Sequence, residues 1–216
     1  MLEQVQRIGG NMLQDEHFFD KAALRIAGLL DLTKGDILLD ACCGNGLITS
    51  RMQKYCSLVQ GVDFSESLIR KANESYPGVD FFCSDIESIH HYSMLHPELQ
   101  TADKIHLGFS FQYFESISAG KRAIEALLAM LRPGGRILLS DIPDRSLFFS
   151  YYSSPSEWIR LWIKMLKNKN DMGKFWSEEE LLYICNSLGV HGTKLRQEKN
   201  LPYAHYRMDF MIWKDK

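Results

Sequence analysis

A glycine-rich segment in the first quarter of the chain, DACCGNG at residues 40–46, has the composition of a ligand-binding loop. An apolar run that predicts a buried strand precedes the segment, and a helical pattern follows it directly. Gly44 and Gly46 let the backbone turn tightly and approach a ligand without a Cβ atom in the way. The start of the following helix presents free amide groups and the positive end of a dipole at the same place. This segment therefore predicts a ligand site.

Carboxylates end the three predicted strands nearest this loop. Asp40 ends the first strand, Asp63 ends the second, and Asp85 ends the third. A carboxylate at the position of Asp63 can accept hydrogen bonds from both hydroxyl groups of a ribose. Asp85 is placed to accept from the exocyclic amine of an adenine, with Ile86 donating from its backbone. Acids at three successive strand ends indicate a nucleoside site far more specifically than one glycine loop does.

A dinucleotide site fits the loop less well. A nicotinamide-dependent oxidoreductase would have G-x-G-x-x-G here, whereas Cys42 takes the place of the first glycine and Thr49 that of the third. Asp40 would also repel a pyrophosphate. A ligand with an ammonium group tolerates Asp40 better, because the carboxylate can help to hold that group through ordered water or a backbone-organised network.

These motifs together resemble those of class I S-adenosylmethionine-dependent methyltransferases. The resemblance covers residues 15–145 by motif order and rests on DACCGNG, GVDFS, CSDIES, LGFSFQYF and LRPGGRILLSDI. It implies S-adenosylmethionine as the cofactor. It also implies a set of cofactor-binding residues at the matching positions: Asp40, Cys42, Gly44, Gly46, Asp63, Phe64, Asp85, Ile86, Gly108 and Phe109.

The resemblance implies direct methyl transfer to a hydroxyl or an amine of a small molecule. The enzyme would mainly supply alignment and a water-poor pocket. A hydroxyl acceptor needs a base, for which His205 and Tyr113 are the predicted catalytic candidates; an amine needs none. Tyr113 is equally well explained as a packed aromatic, and His205 as part of a hairpin surface.

Acceptor binding is predicted for aromatic residues in two later segments. Tyr151 and Trp158 belong to an aromatic-rich stretch at 144–176, and Tyr203 lies near the C-terminus. The C-terminal LPYAHYRMDFMIWK is similar to the end of methyltransferases associated with bacterial surface-polysaccharide synthesis, which adds a sugar derivative to the candidate acceptors. The sequence lacks a D/N/S-P-P-Y/F motif and a cysteine after the fourth or fifth strand, and these absences favour a small molecule over a nucleic-acid base.

Short apolar runs alternate with amphipathic segments along most of the chain, which is typical of a parallel sheet covered on both faces. With the resemblance, this pattern predicts an α/β fold: a doubly wound, mostly parallel seven-stranded sheet with helices on both faces and an antiparallel C-terminal strand. The predicted strands are 37–42, 57–64, 79–85, 103–111, 136–142, 190–198 and 205–213. The predicted helices include 16–30, 47–55, 65–76, 119–135 and 177–189.

The chain is expected to form a single methyltransferase domain over residues 1–216, with an N-terminal helical segment at 1–35. The stretch at 144–176 follows the carboxyl end of a strand, where inserts commonly cover a ligand crevice. It is predicted to cap the acceptor site, although extra core would explain its aromatic residues equally well.

Charge and composition argue against several classes of protein. A net charge of −2 argues against a general nucleic-acid binder. No signal peptide or membrane-spanning stretch is predicted. Five irregularly spaced cysteines indicate reduced thiols and a cytoplasmic location, and no metal site is predicted because the histidines and cysteines lack ligand spacing. A non-catalytic protein that binds S-adenosylmethionine as a partner stays open as an alternative, and the oligomeric state is not predicted.

Overall fold

Seven strands form one sheet in the computed structural model, which describes residues 16–151, 156, 159, 173–198, 201 and 203–215. The strands are Ile37–Ala41 (β1), Leu58–Asp63 (β2), Asp80–Cys83 (β3), Ala102–Gly108 (β4), Leu131–Pro143 (β5), His191–Leu195 (β6) and Arg207–Trp213 (β7). Their order is β3-β2-β1-β4-β5-β7-β6. All neighbouring pairs from β3 to β5 are parallel, and β7 is antiparallel to both of its neighbours.

Helices cover both faces of this sheet. They are Glu16–Leu29 (α1), Leu47–Met52 (α2), Glu66–Ser75 (α3), Ile89–Leu95 (α4), Ile117–Met130 (α5), Phe148–Tyr151 (α6) and Glu178–Ser187 (α7). Ser177 begins α7 with the predicted capping box, in which its hydroxyl accepts from the backbone of Glu180 and the Glu180 carboxylate accepts from the backbone of Ser177. None of the described helices combines the length and the apolar composition that a membrane crossing requires.

Two cores lie on opposite faces because side chains alternate along each strand. Leu38 and Leu138 belong to the core with residues of α1, α2 and α3. Their neighbours Leu39 and Leu139 belong to the core with residues of α4, α5 and α7. Burial on both faces explains why these strands read as continuous apolar runs, and the predicted fold class is confirmed.

Several predicted boundaries are wrong by a few residues, among them the end of one helix and the end of one strand. The helix predicted at 119–135 ends at Met130, since Leu131 already pairs with Ala102 and a bulge follows before regular pairing resumes. The strand predicted at 103–111 ends at Gly108. Phe109 then leaves the strand with φ +55°, and a short 3₁₀ turn follows it.

The two ends of the stretch at 144–176 meet beside the end of β5. Trp176 donates from its backbone nitrogen to the Pro143 carbonyl at 2.9 Å and accepts from the Arg145 nitrogen at 2.9 Å. The Trp176 indole is fully buried and donates to the Phe111 carbonyl at 3.1 Å. The stretch therefore leaves the sheet and returns to it at one place, close to the end of β4. Trp158 and most of the stretch lie outside the described residues.

Two glycines within helices should respond oppositely to alanine. A Cβ atom on Gly120 in α5 would lie 2.6 Å from the Trp176 ring, whereas one on Gly28 in α1 would meet nothing within 4 Å. Gly120→Ala is expected to lower the free energy of unfolding by about 1–3 kcal/mol through overpacking. Gly28→Ala should raise it by about 0.5–1 kcal/mol. Urea denaturation measures both, and equal effects would contradict the described packing of Trp176.

Candidate active site

Parallel pairing brings the ends of the central strands to one edge of the sheet, here called the carboxyl edge. Ala41 of β1 aligns with Val62 of β2, and Asp63 of β2 aligns with Cys83 of β3. On the other side, the end of β4 aligns with Ser140 of β5. The predicted ligand loop and the three predicted acids thus gather at an edge where ligands bind in folds of this kind.

Asp63 ties the glycine loop to the end of β2. Its Oδ2 accepts from the Gly44 backbone nitrogen at 2.9 Å, and its Oδ1 accepts from the Ser65 nitrogen at 2.9 Å. The side chain is buried. An ionised carboxylate has about four lone-pair sites in total, so both oxygens can accept further bonds from a ligand. Asp63 can therefore organise the loop and bind ribose hydroxyls at the same time.

Gly44 and Gly46 are glycines for different structural reasons. Gly44 has φ +58° and Gly46 has φ +75°, the left-handed region that favours glycine. A Cβ atom on Gly44 would meet nothing within 4 Å, whereas one on Gly46 would lie 2.4 Å from the Phe81 ring. The close approach at Gly46 is therefore to β3 of the protein itself, and the open space lies at Gly44. Cys42 also adopts φ +58°, so a cysteine at the family's first glycine position keeps the left-handed turn.

Asp40 lies beneath the loop in a buried polar network. Its Oδ1 is 2.8 Å from His106 Nδ1, and its Oδ2 accepts from the Thr49 hydroxyl at 2.5 Å. The other ring nitrogen of His106 is 2.9 Å from the Ser140 hydroxyl. This network links β1, β4, β5 and α2 under the ligand loop. Both carboxylate oxygens of Asp40 have protein partners, and its contact with a ligand ammonium stays a prediction.

Three further predicted cofactor-binding residues follow β2 and β3, and two of them, Asp85 and Ile86, are predicted to bind adenine. Asp85 accepts from the Glu87 backbone nitrogen at 2.8 Å and caps a short 3₁₀ helix. Ile86 is buried next to it, whereas Phe64 is 76% exposed. An exposed ring directly after the ribose candidate Asp63 offers a face on which a flat base can stack. Adenine binding by these residues stays a prediction.

The thiols of the loop are poor nucleophiles. Burial and the charge of Asp63 raise the pKa of Cys42 to about 12, despite a hydrogen bond from Ser110 that lowers it. Burial and Asp40 hold the pKa of Cys43 well above the usual thiol range. Both side chains are therefore neutral at physiological pH. No group of side chains suited to a metal ion occurs among the described residues.

Four aromatic residues, called here the aromatic cluster, meet at the end of β4. The cluster consists of Phe109, Tyr151, Tyr203 and Tyr206. Tyr203 lies edge-on to Phe109 and to Tyr206 with centroids 6.1 Å apart in each pair, and Tyr151 lies 4.6 Å from Tyr206. The Arg207 guanidinium lies over three of the rings, 5.0–5.9 Å from their centroids. Two residues predicted to bind the acceptor, Tyr151 and Tyr203, therefore both contact the ring of Tyr206.

The two residues predicted to act as the catalytic base, His205 and Tyr113, lie at the surface. His205 packs edge-on against Tyr206 with centroids 4.8 Å apart, but its side chain is exposed. Tyr113 is 65% exposed in the 3₁₀ turn after β4.

Gly108 precedes this turn, and a Cβ atom there would lie 2.8 Å from the His106 ring. Packing against His106 thus accounts for this glycine, and its contact with a cofactor stays a prediction.

Buried polar atoms without a partner concentrate beside the aromatic cluster. Gln112 Oε1, Gln197 Oε1 and Arg207 Nε have no hydrogen bond within the described part of the chain. Gln112 donates from its amide to the Phe109 carbonyl at 2.7 Å, and Gln197 donates to Asp141 at 2.8 Å. Because buried polar atoms are nearly always paired, such a group indicates a place where a ligand or water completes the bonding. Gln197 had no sequence signal, since its neighbours in space are far along the chain.

The sheet order, the glycine loop and the strand-end acids define a nucleoside-binding fold of the class I methyltransferase type. The sequence model described as "Methyltransferase domain" matches residues 14–193. The chain therefore belongs to this methyltransferase family, and its resemblance to class I S-adenosylmethionine-dependent methyltransferases is confirmed. The match favours methyl transfer over the oxidoreductase alternative.

Known relatives and solved structures agree with this assignment. The chain is 26% identical over 180 residues to a ubiquinone biosynthesis O-methyltransferase from Coxiella burnetii, covering 78% of this chain and 72% of that protein. An S-adenosylmethionine-dependent methyltransferase from Clostridium acetobutylicum superposes with a TM-score of 0.69 at 13% identity, over 100% and 98% of the two chains. An amino pentose methyltransferase from Micromonospora echinaspora, solved with S-adenosylmethionine bound, gives 0.66 at 16% identity, over 97% and 94%.

Filling the open space at Gly44 should block ligand binding without unfolding the protein. Asparagine tolerates the left-handed backbone, so Gly44→Asn is expected to fold. Its side chain would weaken S-adenosylhomocysteine binding by about 1–3 kcal/mol, the usual cost of overpacking, measured by calorimetry. Gly189→Asn is the matched control, because Gly189 also has positive φ and open space but lies after α7. Normal S-adenosylhomocysteine affinity in the folded Gly44→Asn variant would show that the loop does not contact the ligand.

Proposed function

We propose that this protein transfers the methyl group of S-adenosylmethionine to a hydroxyl or amine of a small-molecule acceptor. The observation that carries the proposal is the pairing of the Asp63 carboxylate with the Gly44 backbone nitrogen. This bond holds a nucleoside-binding acid and an open glycine loop together at the carboxyl edge. The family match independently supports methyl transfer as the reaction.

The residues at the carboxyl edge fit S-adenosylmethionine. Asp63 retains acceptor capacity for ribose hydroxyls, Gly44 leaves open space above the loop, and Phe64 exposes an aromatic face for a base. When bound, S-adenosylmethionine supplies an electrophilic methyl group on a sulfonium. We assign the methionine portion of the cofactor to Gly108, at the end of β4, and to Phe109, the member of the aromatic cluster that follows it.

The aromatic cluster suits a small, flat or sugar-like acceptor. Its rings exclude water and offer faces for stacking. The Gln112 amide oxygen, which has no hydrogen bond within the described residues, can orient a polar group. One relative is named a ubiquinone biosynthesis O-methyltransferase, and one structural neighbour an amino pentose methyltransferase. These names support a small-molecule acceptor that is a phenolic hydroxyl, a sugar hydroxyl or an amine.

The stretch at 144–176 acts in this proposal as a cap over the acceptor. Both of its ends are fixed at the carboxyl edge through Trp176, and its first turn places Tyr151 against Tyr206. The cap would contribute mainly by excluding water and by holding the acceptor in line with the methyl group. Trp158 is assigned to the same cap.

Removing one ring of the aromatic cluster should impair the acceptor step alone. Tyr203→Ala is expected to lower kcat/KM for the acceptor by roughly 10- to 100-fold, since one lost aromatic wall costs about 1.4–2.8 kcal/mol. S-adenosylhomocysteine affinity should stay normal. The assay follows labelled methyl transfer to catechol, aniline and an amino pentose, with Tyr183→Ala, on the exposed face of α7, as the control.

Two results would count against the proposal. Equal turnover in Tyr203→Ala and the wild type would show that the aromatic cluster does not bind the acceptor. Tight binding of S-adenosylmethionine with no transfer to any acceptor would favour a non-catalytic partner protein instead.

A further inference from the structure

Asp141 occupies a strained position at the carboxyl edge. The register between β5 and β7 shifts between Leu139 and Ile142, and Asp141 within this bulge has φ +59°. Positive φ is uncommon for a residue other than glycine, and such conformations concentrate at functional sites. The neighbouring Ser140 accepts from the Phe109 backbone nitrogen at 3.1 Å. Asp141 therefore lies one residue from the contact that joins β5 to the aromatic cluster.

The Asp141 carboxylate is fixed through one oxygen only. Gln197 donates to Oδ1 at 2.8 Å, and Asp141 donates from its own backbone nitrogen to Asp209 Oδ1 at 2.9 Å. Arg207 donates from Nη1 to the Asp141 carbonyl rather than to its carboxylate. Among the described residues, Oδ2 makes no hydrogen bond or ion pair, and the residue as a whole is half-buried. One oxygen is thus positioned while the other can accept a proton.

Burial, more than the neighbouring charges, strengthens Asp141 as a base. Burial and the neighbouring Asp209 raise the pKa of Asp141, while the Gln197 bond and the charges of Arg207 and Arg25 lower it less. Arg25 of α1 is ion-paired with Asp209. Burial and Tyr206 raise the pKa of Tyr203, and the charge of Asp141 adds a smaller effect in the same direction. A carboxylate with a raised pKa accepts a proton more readily than an ordinary aspartate does.

A second, independent observation indicates that a ligand binds beside Asp141. Gln197 Oε1 and Arg207 Nε are buried without a hydrogen-bond partner in the described part of the chain, and both side chains bond to Asp141 through other atoms. Each of these groups would regain a partner if an acceptor or a water occupied the space beside Asp141. His205 and Tyr113, the bases predicted from the sequence, are instead exposed at the surface.

We propose that Asp141 is the general base of the reaction and that the physiological acceptor is therefore a hydroxyl compound rather than an amine. This inference rests on the proposed function. The acceptor O–H proton passes to Asp141 Oδ2 as the oxygen lone pair forms the new O–CH₃ bond. The S–CH₃ bond breaks, and its electron pair returns to sulfur and neutralises the sulfonium. The step needs no metal, oxidant or reductant for its atoms and electrons to balance.

The first test compares two acceptors in the isosteric variant Asp141→Asn. Methylation of catechol should fall by roughly 10²- to 10⁴-fold, the usual contribution of a general base. Methylation of aniline, whose neutral amine attacks without prior deprotonation, should stay close to the wild-type rate. Normal S-adenosylhomocysteine affinity and an unchanged melting temperature show that the variant is folded. Equal catechol rates in the folded variant and the wild type would overturn the proposal.

The second test does not depend on turnover. In protein labelled with ¹³C at aspartate carboxyl carbons, the signal that is lost in Asp141→Asn should titrate above the ordinary aspartate value of about 3.9. Asp209→Asn should move that pKa downward by removing a negative neighbour, so the acid limb of catechol turnover should shift to lower pH. A signal that titrates in the ordinary range overturns the proposal, even if the wild type methylates neither probe and the proposed function itself fails.

Discussion

The bond between the Asp63 carboxylate and the Gly44 backbone nitrogen is the contact on which the rest of the site depends. It joins the end of β2 to the loop after β1, two segments that parallel pairing alone would leave side by side without fixing the loop. Asp40 supports the same loop from below through His106 and Thr49. These protein contacts hold the loop in place, which lowers the conformational entropy that ligand binding would otherwise lose in ordering it.

Backbone strain marks the same edge of the sheet. Three of the four non-glycine residues with positive φ in the described chain lie there: Cys42 after β1, Phe109 after β4 and Asp141 in the bulge of β5. Each costs about 1 kcal/mol or more, and the surrounding packing must sustain it. Phe109 packs edge-on against Tyr203, and one carboxylate oxygen of Asp141 has no hydrogen bond among the described residues. The cofactor half and the acceptor half of the site therefore meet at β4 and β5.

The sequence predicted those parts of the fold whose signals are local. Continuous apolar runs identified the strands, and the glycine loop with Asp63 identified the ligand edge. The helix end at Met130 could not be predicted, because it depends on the pairing of Leu131 with Ala102 in another strand. Similarly, the contacts that single out Asp141 come from residues 56–68 positions away in sequence. Only the folded sheet brings such partners together.

The most direct test of this account measures S-adenosylhomocysteine binding to Asp63→Ala by calorimetry, with Asp80→Ala, an exposed acid on β3, as the control. Loss of a charge-assisted bidentate contact is expected to cost on the order of 2–3 kcal/mol, roughly 30- to 150-fold in affinity. Asp80→Ala should bind like the wild type. Wild-type affinity in a folded Asp63→Ala protein would contradict the ribose assignment and, with it, the site described around the glycine loop.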